Sequence, residues 1–189
     1  MPGPAVVNAS PLILLAKAGR LELLQALRRD LLVPKAVAEE LRAKGSDDSV
    51  VQLVEGATWL RVISVPATQQ SVAAWRLGAG ESAVVTCALQ YSDSLVVLDD
   101  REGRRCAVSH GIAVIGSIGV VLLAKDEGAI PFVAPVLDEL IAAGMHILAR
   151  HAELLGLGAA GGDEVAGARG VAASSKARLA SALSPAWRA

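Results

Sequence analysis

The sequence predicts an α/β protein: a three-layer α/β/α sandwich around a central, mostly parallel sheet. Three observations predict it. Short apolar runs at Ala5–Val7, Leu31–Val33, Leu95–Leu98 and Ile112–Ile115 are continuous rather than alternating, as in strands covered on both faces. Helix-length segments with their own start and stop residues separate these runs. Strand and helix therefore alternate along the chain, which favours crossover connections and a parallel sheet.

The elements follow in order. After Ala5–Val7, Ser10 occupies an N-cap position and Pro11 suits a first helical turn. The helix predicted over Leu12–Ala18 ends at Gly19. A second helix covers Leu21–Arg28, with leucines at 21, 23, 24 and 27. Leu31–Val33 is a strand, and Pro34 opens a helix to Ala43 that Gly45 closes. Asp47–Gly56 is a helix whose acidic first turn suits the helix dipole. Leu60–Val65 alternates as a strand does. Gly78-Ala79-Gly80 reads as a tight turn before a helix over Glu81–Gln90. Leu95–Leu98 is a buried strand with Asp99-Asp100 at its carboxyl end. A basic helix, Arg101–Ser109, stops at Gly111. After the strand Ile112–Ile115, helices over Ser117–Lys125 and Val133–Ala143 complete the core. There is no internal repeat.

Of the 189 residues, 53% are hydrophobic, and the mean hydropathy is +0.47. That is high enough to raise the question of a membrane. The apolar run Gly111–Ala124 is too short against the roughly 20 residues of a spanning helix, and it contains Gly116, Ser117 and Gly119. The segment Met1–Ala16 lacks the basic start of a signal peptide, so the expected location is the cytoplasm. Cys87 and Cys106 fall in helix-like apolar patterns and are expected as buried, reduced thiols. His110, His146 and His151 show no zinc-ligand spacing with them. The formal net charge is -1, which argues against tight metal-free binding of nucleic acid.

Two segments are expected: a domain over 1–148, and a tail over 149–189 dominated by Ala, Gly and Ser from Gly156 onward. Such a composition cannot build a core, although Ser174–Leu183 has the pattern of a transient helix. Truncation after Leu155 is accordingly expected to leave the thermal midpoint nearly unchanged. A differential scanning fluorimetry comparison with the full chain checks this, and a large drop would show the tail packing on the core.

In open α/β sheets, ligands gather beyond the carboxyl ends of strands. Asn8 follows the first strand, and Asp99 and Asp100 follow Leu95–Leu98. Glu81 opens the helix leading into that strand, and Glu39 and Glu40 lie on the third helix. Carboxylates converging from separate segments make a hard oxygen site suited to Mg2+ or Mn2+. Each also has a simpler role: Glu81 as a dipole-stabilising acid, Asp99 or Asp100 as a cap, and Glu39 and Glu40 as a solvated helix face. Arg101, Arg104 and Arg105 hold phosphates or form a solvated face. Trp59, Trp75 and Trp187 do not by themselves make a base-stacking platform.

An ordered series of short segments carries a resemblance. It begins with Val7-Asn8-Ala9-Ser10-Pro11-Leu12-Ile13 and Gly19-Arg20-Leu21-Glu22-Leu23-Leu24. Val33-Pro34 follows, with Glu39-Glu40-Leu41, then Leu77-Gly78-Ala79-Gly80-Glu81-Ser82-Ala83. Val97-Leu98-Asp99-Asp100-Arg101 comes next, with Arg104-Arg105. The series ends with Ile115-Gly116-Ser117-Ile118-Gly119 and Leu137-Asp138-Glu139-Leu140. It resembles a PIN-like family labelled DUF3368 over about residues 5–147. The resemblance implies a PIN-type fold and Mg2+- or Mn2+-dependent cleavage of single-stranded or structured RNA. It also implies likeness to VapC-type toxins paired with a small antitoxin, and homodimers are common among similar proteins. Glu40 (with Glu39 as its neighbour), Glu81 and Asp99 (with Asp100 as its substitute) would be the catalytic acids and metal ligands. Ser10 would be the small hydroxyl residue near the first acid. The first ligand position is normally Asp, and here it is Asn8, which offers a carbonyl oxygen without charge. The alternative to a nuclease is therefore a catalytically weak or inactive module that binds RNA or an antitoxin. A third reading is an assembly protein dimerising through its apolar helices.

Overall fold

The computed structural model describes residues 2–43 and 48–145. Gly45, the tail helix over Ser174–Leu183, Trp187, His146 and His151 lie outside the described residues.

Five strands form one sheet: β1 (Ala5–Val7), β2 (Leu31–Pro34), β3 (Leu60–Ile63), β4 (Leu95–Val97) and β5 (Ala113–Ile115). Their order is β3-β2-β1-β4-β5, and every pairing is parallel. Every residue of β1, β2, β4 and β5 is buried, which accounts for their unbroken apolar character. β3 is an edge strand, and Arg61 and Val62 are exposed.

Among the described residues, the helices α1 (Ala9–Lys17), α2 (Lys35–Ala43), α3 (Asp48–Gly56), α4 (Gln70–Ala73), α5 (Ala79–Ala88) and α6 (Arg101–Ser109) lie between strands, and α7 (Ser117–Asp126) and α8 (Ala134–Ala142) follow β5. The chain runs outward from β1 through β2 to β3, then crosses back to β4 on the other side of β1. Right-handed crossovers in opposite directions put helices on opposite faces of the sheet. α5 lies on α6, and α1 packs with α3, α7 and α8, while α2 touches both α1 and α5. The reversal falls between β1 and β4, so a crevice opens beyond their carboxyl ends.

The structure departs from the sequence reading in several places. Leu21–Leu27 is a 3-10 helix rather than an α-helix. Its buried Leu21, Leu24 and Leu27 recur every third residue, which is the 3-10 period, and Arg28 leaves it in the left-handed region at φ 50°. The first helix starts at Ala9 with Asn8, not Ser10, at the N-cap. β3 stops at Ile63 because its partner β2 ends at Pro34, where the chain turns into α2. α4 was not predicted; its four residues are too few for a periodic pattern.

Cys87 and Cys106 are buried free thiols, as expected. Burial pushes the Cys87 thiol up to about 11. Trp59 and Trp75 pack against the core as partly buried residues. Arg20 and Glu139, from two distant segments of the family-like series, form a two-pronged ion pair at 2.6 and 2.7 Å between the start of the 3-10 helix and α8. That guanidinium holds the Glu139 carboxyl below its usual range. No helix among the described residues is long and apolar enough to cross a membrane.

Candidate metal centre

The strand ends fix the site's frame. The Asn8 N–H donates to the Val97 carbonyl at 3.1 Å, and the Leu98 N–H donates to the Ile115 carbonyl at 2.9 Å. Asn8, Asp99 and Ser117 thus leave three adjacent strands side by side. Two helix starts, those of α1 and α7, stand at the same edge.

Asn8 is only 3% exposed. It is the N-cap of α1 with extended backbone (φ -87°, ψ 167°), yet its side chain makes no capping bond. Its carbonyl oxygen Oδ1 is buried without a hydrogen-bond partner, a condition that it shares among the described residues only with Thr86 Oγ1 in the interior of α5. A buried acceptor left unsatisfied costs about 1–3 kcal/mol.

Gly80 explains how Asn8 meets Glu40. It is buried in the first turn of α5, where α5 packs on α2 and on β1. A Cβ at Gly80 would collide with Glu40 Oε2 and would lie 3.3 Å from Asn8 Oδ1. The missing side chain therefore leaves a small cradle in which two oxygens from separate elements face one another. Glu39 instead points outward and approaches Lys35 at 3.9 Å, with both side chains exposed. The helix thus distinguishes the neighbouring acids: Glu40 stands at the cradle and Glu39 on the solvated face.

Asp99 is held from the next helix. Its Oδ1 accepts the Ser117 N–H at 2.8 Å, and its Oδ2 accepts the Ser117 hydroxyl at 2.6 Å. Ser117 is 1% exposed and Asp99 is exposed, so this grip is half-buried. Two of the roughly four lone-pair positions of the carboxylate remain for another partner. Gly116 makes room for the arrangement: a Cβ there would lie 2.9 Å from Asp99 Oδ1 and 2.8 Å from Arg104 Nη1.

The other predicted residues sit as follows. Glu81 is the third residue of α5, and its carboxylate reaches back to accept the Gly78 N–H at 3.1 Å, one half of a capping box, since Gly78 has no side chain to complete the other. Asp100 caps α6, accepting the Gly103 N–H at 2.8 Å. Arg104 donates to the Leu98 carbonyl at 3.0 Å. Burial lowers its pKa, against an opposing pull from Asp99. Arg105 pairs with Glu102 at 3.1 Å and stacks over Trp75 at 5.8 Å from the ring centre. Arg101 and Ser10 are exposed at the first turns of α6 and α1. Among the described residues, no three Asp, Glu, His or Cys side chains stand close enough to hold one ion by themselves. The donors that do meet are Asn8 and Glu40.

Two residues of this edge were absent from the predicted site. Ser117 was read as a helix start and within a family-like segment, not as a site residue, and its grip on Asp99 spans 18 positions. Gly80 was read as part of a turn. A small residue between Asn8 and Glu40 is a signal only once the fold brings those segments together.

Residues 4–155 match a family model described as a PIN domain, DUF3368. Comparison with curated proteins returns no match.

Proposed function

The chain belongs to the PIN-domain family DUF3368, and from that premise and the geometry around Asn8 we propose that it is a divalent-metal-dependent ribonuclease. The observation that carries this reading is the unpartnered Asn8 carbonyl facing Glu40 across the bare backbone of Gly80. A cation completes such a pair better than a neutral donor does, because Glu40 brings charge. The donors are all oxygen, which suits Mg2+ or Mn2+ over softer metals.

Asn8 and Glu40 would hold the ion on one side, and Asp99, pre-oriented by Ser117, would hold it on the other. Glu81 stands beside Gly80 and adds negative charge to the same edge. When bound, the ion acidifies water and neutralises charge on a scissile phosphate. Arg104 and the exposed Arg101 place cations on the Asp99 side, where they orient that phosphate. Asp100 contributes by capping α6 rather than by leaving it. Ser10, exposed in the first turn of α1, would order water at the ion. The partner is RNA, the setting cytoplasmic, and likeness to VapC-type toxins suggests a small antitoxin and a homodimer. Asn8 supports a second reading: with one charge fewer, the site binds RNA or an antitoxin and cleaves weakly.

Gly80→Ala tests the proposal. Glu40 meets the new methyl with the far end of a flexible side chain, so it swings aside and the fold survives. Gly80 lies in the first turn of α5, so Ala for Gly gains only part of the roughly 0.8–1 kcal/mol that the change is worth in a helix interior. The expected result is a thermal midpoint kept or raised, with Mn2+ affinity down roughly tenfold or more and metal-dependent RNA cleavage lost. Mn2+ titration by calorimetry, run alongside a thermal melt, reads both. Undiminished Mn2+ affinity in a folded Gly80→Ala protein would sink the assignment.

A further inference from the structure

A second concavity opens at the same sheet edge, beyond β2 and β3. It has a volume of about 380 Å³, and its lining includes Pro34, Val65, Ala79 and Ala83 together with Lys35, Ser64 and Thr68. We infer that this cleft is a nucleoside subsite for single-stranded RNA, next to the metal centre. The inference rests on the ribonuclease reading and assigns it a second place to grip substrate.

Position is the first argument. Ala79 and Ala83 are one turn apart on α5 and share a face. Gly80, between them in sequence, turns about 100° away and faces Asn8 and Glu40. One helix thus lines the cleft with one face and the metal centre with the next. α2 repeats the arrangement: Lys35 borders the cleft and Glu40 stands about 7.5 Å further along the helix. A chain of nucleotides crossing the metal centre toward β3 meets this cleft next.

Chemistry is the second. The volume falls within the range of small-molecule sites. The walls are apolar and made of proline, valine and alanine, which accept the face of a base. Ser64 and Thr68 bring hydroxyls that donate to or accept from a base edge. Lys35 is exposed and is the first residue of α2, which has no acidic residue in its first turn. A lysine there works against the helix dipole, and Glu39 at 3.9 Å offsets it only in part. A phosphate beside Lys35 supplies the missing negative charge.

The test uses the full chain and the four nucleoside 5′-monophosphates, with inorganic phosphate and ribose 5-phosphate as controls, in amide NMR titrations without metal. The expected result is shifts at Ser64, Val65, Thr68, Ala79 and Ala83 with mononucleotides, and smaller or no shifts with the two controls. Ala83→Phe, which fills the cleft, and Lys35→Gln, which leaves its walls intact, should each weaken mononucleotide binding about tenfold. Ala83→Phe should also raise KM for a short single-stranded RNA while leaving Mn2+ affinity unchanged. Equal shifts with inorganic phosphate overturn the nucleoside assignment. Metal-dependent cleavage with no mononucleotide shifts, and an Ala83→Phe profile like wild type, overturns the subsite and leaves the nuclease standing. Mononucleotide shifts in a protein that binds no Mn2+ and cleaves no RNA support the subsite and overturn the ribonuclease reading instead.

Discussion

Asp99→Asn is expected to abolish metal-dependent RNA cleavage and to lower Mn2+ affinity by about 100-fold, with little change in the thermal midpoint. Charge count sets the size of the effect. Asn8 is already neutral, so the donors facing the cleft are short of one negative charge, and divalent-metal affinity follows the charge of the ligand set. Removing Asp99 leaves Glu40 and the more distant Glu81 as the charged oxygens. Stability should hold because the Asn carbonyl still accepts one of the two Ser117 bonds, its amide can donate to the Ser117 hydroxyl oxygen in place of the other, and Asp99 is exposed. Ser117→Ala provides a graded control. It keeps the Asp99 charge but removes one of its two anchors, and loss of such outer-shell orientation typically costs 10–100-fold in metal affinity. The expected order of Mn2+ affinity is therefore wild type, then Ser117→Ala, then Asp99→Asn. Calorimetric titration of the three proteins gives it. Asp99→Asn binding Mn2+ as tightly as wild type would remove Asp99 from the ligand set.

The fold was legible because its strands are buried on both sides. Val6, Val7, Val96 and Val97 are all inaccessible to solvent, so their sequence could not alternate, and the bounding turn residues marked their ends. Helix ends were less legible, because capping depends on which side chain the backbone angle selects. Ser10 and Asn8 have equal N-cap chemistry on paper, and Asn8 takes the position because it holds the extended angle at the strand end. Glu81 was read as the start of α5, but its own carboxylate pulls the start back to Ala79 by capping Gly78. The acids themselves were visible as residues at predicted strand and helix ends. What joins them was not. Gly80 is adjacent to Glu81 in sequence, but its neighbours Asn8 and Glu40 lie tens of residues away. Ser117 reaches Asp99 from the far side of β5. Contacts of this kind depend on strand order, and a list of apolar runs does not give strand order.

Asn8→Asp tests whether the cleft is a nuclease site short of one charge, and its expected result has two parts of opposite sign. With metal, a carboxylate replaces a neutral carbonyl of the same shape, so Mn2+ affinity should rise. Two unit charges at 4 Å are worth about 4 kcal/mol at an effective dielectric of 20. Side-chain adjustment and repulsion from Glu40 take back part of this, and a gain of roughly 10–100-fold in affinity is the working figure, given that 1.4 kcal/mol is tenfold. Metal-dependent RNA cleavage should rise with it. Without metal the same change should destabilise the fold at neutral pH. The new carboxyl is nearly enclosed at this position and faces Glu40, and both desolvation and like charge raise its folded-state pKa above the ordinary value near 3.9. The folded state then binds more protons than the unfolded state between the two pKa values, so stability falls as pH rises through that window. The N-terminal dipole of α1, which has no acid in its first turn, offsets part of the loss. Thermal melts of metal-free Asn8→Asp from about pH 4 to pH 7 should therefore show a midpoint that falls relative to wild type, and Mn2+ should restore it. A variant whose midpoint ignores both pH and Mn2+, and which cleaves no RNA, would rule out a dormant metal site at Asn8 and leave the binding-module reading in its place.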